Sequence, residues 1–170
     1  MSSPHWTTRP EEPTDVEAIR GILLAAFDTP EEADLVDELR RSGAWIDGLS
    51  MVAVDAAGDP VGHALLTRCH IDDTPALCLA PCSVLPEHQR TGAGTAATTA
   101  VLDAARARGE HAVTVLGHPE YYPQFGFTRA SRHGVRMKAE VPDEALMVLA
   151  LDGTPIPGGT IRYAAPFGDI

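Results

Sequence analysis

The stretch Gln89-Arg90-Thr91-Gly92-Ala93-Gly94 constrains this chain more than any other. It lies between an apolar run, Ala76 to Val84, and an alanine-rich helical pattern that opens at Gly92 and closes with basic residues before Gly109. A strand, a glycine bend and a helix in that order leave the first helical amides without intrahelical partners. Glycines at the bend let a ligand come close to the backbone. The product is an anion site suited to a pyrophosphate. Taken alone, a Gly-x-Gly pair serves equally well as a plain strand-to-helix turn.

Two other phosphate motifs compete for the same residues. Gly92-Ala93-Gly94-Thr95-Ala96-Ala97 matches a dinucleotide fingerprint. Against it, Pro86 to Thr91 separate the strand from the first glycine, and the next strand ends at Leu116-Gly117-His118 with no acid for a ribose hydroxyl. That motif also usually opens its domain, whereas two helices and several strands come first here. A nucleotide P-loop is excluded because no Gly-Lys-Ser/Thr is present.

The rest of the chain reads as a mixed α/β succession. His5 to Pro10 has the composition of a first strand. Thr14-Asp15-Val16-Glu17 is a capping-box pattern with Ile19, Ile22, Leu23 and Phe27 behind it, and Thr29-Pro30-Glu31-Glu32 opens a second helix that Gly43 is expected to stop. Leu49 to Asp55 and Pro60 to Ile71 form a hairpin across Ala56-Ala57-Gly58-Asp59. The near-continuous apolar run to Val84 suits a central, doubly covered strand, and Pro81 within it predicts a bulge or a separation from a neighbour. After the third helix come a strand at His111 to Leu116, a short helix at Pro119 to Phe125, strand from Phe127, a strong strand at Ala145 to Leu151 and an edge strand at Ile161-Arg162-Tyr163. No repeat or linker divides the 170 residues, so residues 1–170 are expected to form one domain.

Composition narrows the function classes. A net charge of −11 argues against general nucleic-acid binding and is compatible with a cationic amine partner or simply with solubility. Three cysteines are too few for a disulfide framework, and Cys78 and Cys82, four apart on one strand, are too separated to share a metal, so no metal site is expected. The start carries no charged-then-apolar signal pattern and no apolar run is long enough to span a membrane. A cytoplasmic protein without membrane partners is the expectation.

The order of elements, Val84-Leu85-Pro86 before the loop, the Gln/Arg-x-x-Gly-x-Gly pattern at 89–94 and Tyr121-Tyr122-Pro123-Gln124-Phe125-Gly126-Phe127 together resemble the GNAT superfamily of acyl-CoA N-acyltransferases. Leu79-Ala80-Pro81, Leu116-Gly117-His118-Pro119-Glu120 and Tyr163 to Phe167 look most like its YhbS-like branch. The resemblance covers nearly the whole chain. It implies a three-layer sandwich on a bent, splayed central sheet of about six or seven strands.

The resemblance also implies the chemistry: an acyl-CoA-dependent N-acyltransferase, with acetyl-CoA as cosubstrate and a small-metabolite amine as acceptor. The pyrophosphate would lie on backbone amides of Gln89, Arg90, Thr91, Gly92, Ala93, Gly94 and Thr95, with the Thr95 hydroxyl adding a donor. Cys82, Ser83 and Val84 would pair with the pantetheine arm, and a backbone donor near Ser83 would stabilise the oxyanion. Tyr122, four residues before Gly126, occupies the position of the family's general acid, while Tyr121 is expected to point elsewhere as packing. No carboxylate stands on the Ala76 to Cys82 strand, which leaves His63, His70, His118 and Glu120 as competing base candidates beside a base-free route. His118 also stands near where many relatives carry an asparagine. The missing carboxylate keeps open a second class, a non-catalytic acyl-CoA-binding module. Homodimers are common in the superfamily, and no residues here mark an interface.

Overall fold

The computed structural model describes residues 6–170. Its strands are β1 (Thr7–Pro10), β2 (Ser50–Val54), β3 (Pro60–Ile71), β4 (Thr74–Val84), β5 (Ala112–Leu116), β6 (Thr128–Arg129), β7 (Val135–Arg136), β8 (Leu146–Ala150) and β9 (Gly159–Arg162). The α-helices are α1 (Val16–Ala26), α2 (Glu31–Arg40) and α3 (Ala93–Ala107). Seven strands follow the order β1-β2-β3-β4-β5-β8-β6, with β9 on the end of β3 and β7 on β9. All neighbours on that path are antiparallel except β4 and β5.

Side-chain alternation sorts the apolar residues into three layers. On one face α3 sets Ala93, Ala97, Val101 and Ala105 against Leu66, Leu77, Leu79 and Val113. Alanine at this spacing gives a narrow helix face that lies close to the sheet. On the other face Ile19 and Leu23 of α1 and Val36 and Leu39 of α2 pack on Val52, Val54 and Leu65. The same face continues under the C-terminal segments through Cys69, Ile71, Cys78, Val148 and Ile161.

Two irregularities shape the centre of the sheet. The β3–β4 register slips between Ala64 and Leu66, because Ala64 opposes Cys82 while Leu66 opposes Leu79. One extra residue is therefore accommodated at Ala80-Pro81, where proline has no N–H for the ladder. The slip reverses the alternation. Leu79 faces α3, and so do Cys82 and Val84, which leaves Ser83 on the α1/α2 face. The second irregularity lies on the other edge of β4. Its parallel pairing with β5 is confined to Leu77–Val113 and Cys78–Thr114, although β5 pairs with β8 as far as Leu116–Leu146. Past Cys78 the two strands part and leave the edge of β4 open, as Pro81 predicts.

Several local expectations need correction. The reciprocal cap before α1 is formed by Glu12 and Asp15, not Thr14 and Glu17: Asp15 accepts from the Glu12 N–H at 2.7 Å, and Arg9 holds the same carboxylate. Pro30 is the cap of α2, and the helix ends at Arg40 with Arg41 as its C-cap, before Gly43 is reached. The short helix after β5 is a single 3₁₀ turn, Tyr122–Phe125, and the strand after Phe127 has two residues. β1 starts at Thr7; His5 lies outside the described residues.

Candidate active site

α3 begins without a side-chain cap. Gly92 precedes it in a left-handed conformation (φ 92°), and the first main-chain bond across the start runs from the Ala96 N–H to the Gly92 carbonyl at 2.9 Å. The amides before Ala96 thus lack helical partners and carry the positive end of the helix dipole. Arg90 also adopts a left-handed conformation (φ 64°), which is uncommon for a residue with a Cβ. The loop is tied from outside: the Trp6 indole donates to the Thr91 carbonyl at 2.9 Å, and its ring meets His88 edge-on with centroids 5.6 Å apart.

A cavity of about 380 Å³ opens from this helix start into the gap between β4 and β5. Gln89, Arg90, Gly92, Gly94 and Thr95 line it from the loop, and Cys82, Ser83 and Val84 from the open edge of β4. Tyr121, Tyr122 and His118 close the far wall, while Ala26 and Phe27 at the end of α1 form the mouth. Of the residues singled out by sequence, Thr91 and Ala93 do not line it. The Thr91 hydroxyl turns back to the His88 carbonyl, and Ala93, the first residue of α3, is buried against the sheet. A larger cavity of about 600 Å³ lies under the C-terminal segments between Ala130 and Leu146, and none of the α-helices α1 to α3 contributes to its walls.

The two tyrosines divide the site. Tyr121, expected to face away, lines the cavity, and its hydroxyl lies 3.1 Å from the Thr95 hydroxyl. Burial raises its pKa, and the Thr95 hydrogen bond opposes that rise. Tyr122 meets Tyr121 edge-on at 5.0 Å and Phe127 at 5.9 Å. Its phenol is pushed above the ordinary tyrosine value, first by burial and then by the neighbouring Cys82. Cys82 is itself pushed up to about 11 by burial, with its sulfur 3.8 Å from the Thr98 hydroxyl. In this setting Tyr122 keeps its proton and the Cys82 thiol stays neutral.

The base candidates separate cleanly. His118 borders the cavity, Glu120 is exposed, and His70 lies at the opposite end of β3, where it pairs with Arg162. His63 is fully buried on the α1/α2 face, opposite Ser83 in the β3–β4 register.

An uncapped helix start, a strand parted from its neighbour and a protonated tyrosine thus share one cavity. The Acetyltransferase (GNAT) family matches residues 16–127. The chain belongs to the GNAT acetyltransferase family. It is 34% identical to the N-acetyltransferase YjhQ of Escherichia coli K12, over 98% of this chain and 96% of that protein. Its fold is similar to a crystal structure of the GNAT N-acetyltransferase YhbS from Escherichia coli in complex with CoA, with a TM-score of 0.86, 26% identity, and 98% and 95% of the two chains covered. A GNAT acetyltransferase from Brucella melitensis in complex with acetyl-CoA matches with a TM-score of 0.79 at 29% identity, covering 96% and 98%. Membership of this family of N-acetyltransferases agrees with the loop, the parted strands and the YhbS-like segments read from sequence.

Proposed function

We propose that residues 1–170 form one catalytic domain that transfers an acetyl group from acetyl-CoA to a primary amine of a small metabolite, with Tyr122 as general acid. The observation that carries this reading is the single cavity shared by the uncapped start of α3, the free edge of β4 at Cys82 to Val84, and Tyr122.

The residues present fit the cosubstrate. A capping side chain would fill the start of α3, and none does. Amides from Gln89 to Thr95 would hold the pyrophosphate, with the Arg90 guanidinium beside them. The open edge of β4 would take the pantetheine arm by strand addition. Acetyl-CoA supplies a thioester carbonyl as the acyl donor. The chain's part is to place that carbonyl, to aim a backbone donor from the Ser83 region at its oxygen, and to return a proton to the departing sulfur from the Tyr122 hydroxyl. A preorganised donor of that kind is typically worth about 3 kcal/mol, and a positioned acid roughly a hundredfold to ten-thousandfold. Ala26 and Phe27 form the mouth, and the acidic Asp28, Glu31 and Glu32 that follow them in sequence are compatible with a cationic amine as the acceptor.

The test is a screen of primary amines with acetyl-CoA, read by release of free thiol, run beside Tyr122→Phe. Turnover that collapses in the variant while acetyl-CoA affinity holds supports the enzyme reading. Binding of acetyl-CoA with no turnover of any amine leaves an acyl-CoA-binding module instead.

A further inference from the structure

A chain of buried and half-buried polar groups runs from the cavity wall along the α1/α2 face of the sheet to α2. Arg40 of α2 donates to Glu11, whose other carboxylate oxygen accepts from the Ser50 hydroxyl. Ser50 Oγ lies 2.8 Å from His63 Nε2. His63 is 0% exposed and Ser83, its register partner on β4, is 5% exposed. Neither His63 Nδ1 nor Ser83 Oγ has a hydrogen-bond partner among the described residues.

The directions of these bonds follow from donor and acceptor types alone. An ionised carboxylate only accepts, so the Ser50 proton points at Glu11. Ser50 Oγ must then accept, so His63 carries its proton on Nε2 and presents Nδ1 as a bare acceptor. Burial, with the Arg40 charge adding to it, pushes the His63 pKa down to about 3, so the ring stays neutral at physiological pH. A buried acceptor without a donor is costly. Directly opposed residues of an antiparallel pair hold their Cβ atoms about 4.5–5.5 Å apart, which brings the Ser83 hydroxyl within its reach. If that hydroxyl turns to Nδ1, every proton from Ser83 to Glu11 points away from the cavity. Ser83, a residue of the cavity wall, is then left with only lone pairs on its buried Oγ to offer a donor from that side.

We propose that the Ser83 side chain is the acceptor that holds an N–H of the incoming amine, and that His63, aligned by Ser50 and Glu11, is the positioning residue that keeps the Ser83 proton out of the way. This rests on the N-acetyltransferase reading above. An N–H held on Ser83 directs the nitrogen lone pair away from β4. The bond strengthens as the nitrogen gains positive charge, so it favours the transition state over the bound amine. The role differs from that of the backbone donor near Ser83, and it explains why a polar pair is kept where the surrounding face is apolar.

The test uses the full chain labelled with ¹⁵N-histidine, with long-range proton–nitrogen correlations assigned to His63. The expected result is the neutral Nε2–H tautomer at pH 7, with Nδ1 moving toward its unbonded position in Ser83→Ala and returning in Ser83→Thr. With any amine that the wild type acetylates, Ser83→Ala lowers kcat roughly tenfold to a hundredfold, the range for one hydrogen bond to a charged group. Acetyl-CoA affinity, read by calorimetry, is unchanged. An Nδ1–H tautomer, a His63 signal indifferent to Ser83→Ala, or a wild-type kcat in that variant overturns the proposal. Failure of the wild type to acetylate any amine defeats the enzyme reading, and with it the amine role of Ser83, whatever the tautomer.

Discussion

The ring of Tyr122 lies across the backbone of Gly117: a Cβ on Gly117 would stand 2.4 Å from Tyr122 Cε2. The glycine that ends β5 thus makes room for the aromatic ring on the cavity wall. The ring cannot retreat freely, since Tyr121, Phe125 and Phe127 pack around it. Gly117→Ala should therefore displace Tyr122 without removing its hydroxyl. The expected outcome is a fall in kcat of the same kind as in Tyr122→Phe, tenfold or more, with a stability loss of about 1–3 kcal/mol for the overpacking. Matched kinetics and melting curves of the two variants check it, and a wild-type kcat in Gly117→Ala contradicts the acid role proposed for Tyr122.

Tyr122 is raised above the ordinary tyrosine value by burial and Cys82, and burial raises Tyr121 and Tyr163 as well. A raised phenol pKa favours the protonated form, so the proposed acid remains loaded at alkaline pH. No tyrosinate absorbance should develop in the native protein below about pH 10, the ordinary tyrosine value. The alkaline limb of the kcat profile should likewise not arise from Tyr122. Early tyrosinate formation, lost in Tyr122→Phe, would show that the hydroxyl is more solvated than the packing indicates.

The glycine bend and the helix start after it were legible in the sequence because everything that defines them is local. Gln89 to Thr95 need only each other and the strand before them, and the four-residue spacing from Tyr122 to Gly126 is equally self-contained. Tyr121 was misjudged because a regular helix from Pro119 would send neighbouring side chains apart. Instead Tyr121 caps a 3₁₀ turn that starts at Tyr122, and both rings meet the cavity. The Ser83–His63 pairing was beyond reach for another reason. It depends on a one-residue slip in the β3–β4 register, and such a slip exchanges the two faces of a strand. β6 and β7, with two residues each, are too short to carry a periodic signal.

Arg90 holds a left-handed conformation at the edge of the anion site. Its strain is about 1 kcal/mol or somewhat more, similar to the entropic cost of a glycine in its place. Arg90→Gly should therefore leave the melting temperature nearly unchanged. It should weaken acetyl-CoA binding by up to roughly fivefold at low salt, with the difference shrinking as salt screens the lost charge. Titrations at two ionic strengths check both parts.

Acid should loosen the attachment of β1 to α1. Arg9 binds the Asp15 carboxylate at 2.5 and 3.1 Å and the Glu12 amide adds a third bond, so Asp15 lies below its ordinary pKa, chiefly through Arg9. A lowered carboxylate contributes stability that is complete above its unfolded value. That contribution declines as pH drops from about 3.9 toward the lowered value. Asp15→Asn should melt lower than wild type at neutral pH, and the gap should narrow below about pH 4. A gap that stays constant with pH would contradict the ion pair's role.

The central claim is that the uncapped start of α3 holds the phosphates of acetyl-CoA, and Gly92 tests it most directly. Gly92 takes a φ of 92° with only Trp6 nearby, at 3.9 Å from an added Cβ, so a substitution strains the backbone but has room to fold. Isothermal titration with acetyl-CoA should show micromolar binding to the wild type, weaker binding to Gly92→Ala, and none to Gly92→Glu, whose carboxylate would oppose the phosphates. Circular dichroism confirms that each variant is folded. The account is contradicted if the folded wild type does not bind acetyl-CoA, or if Gly92→Glu binds it as tightly.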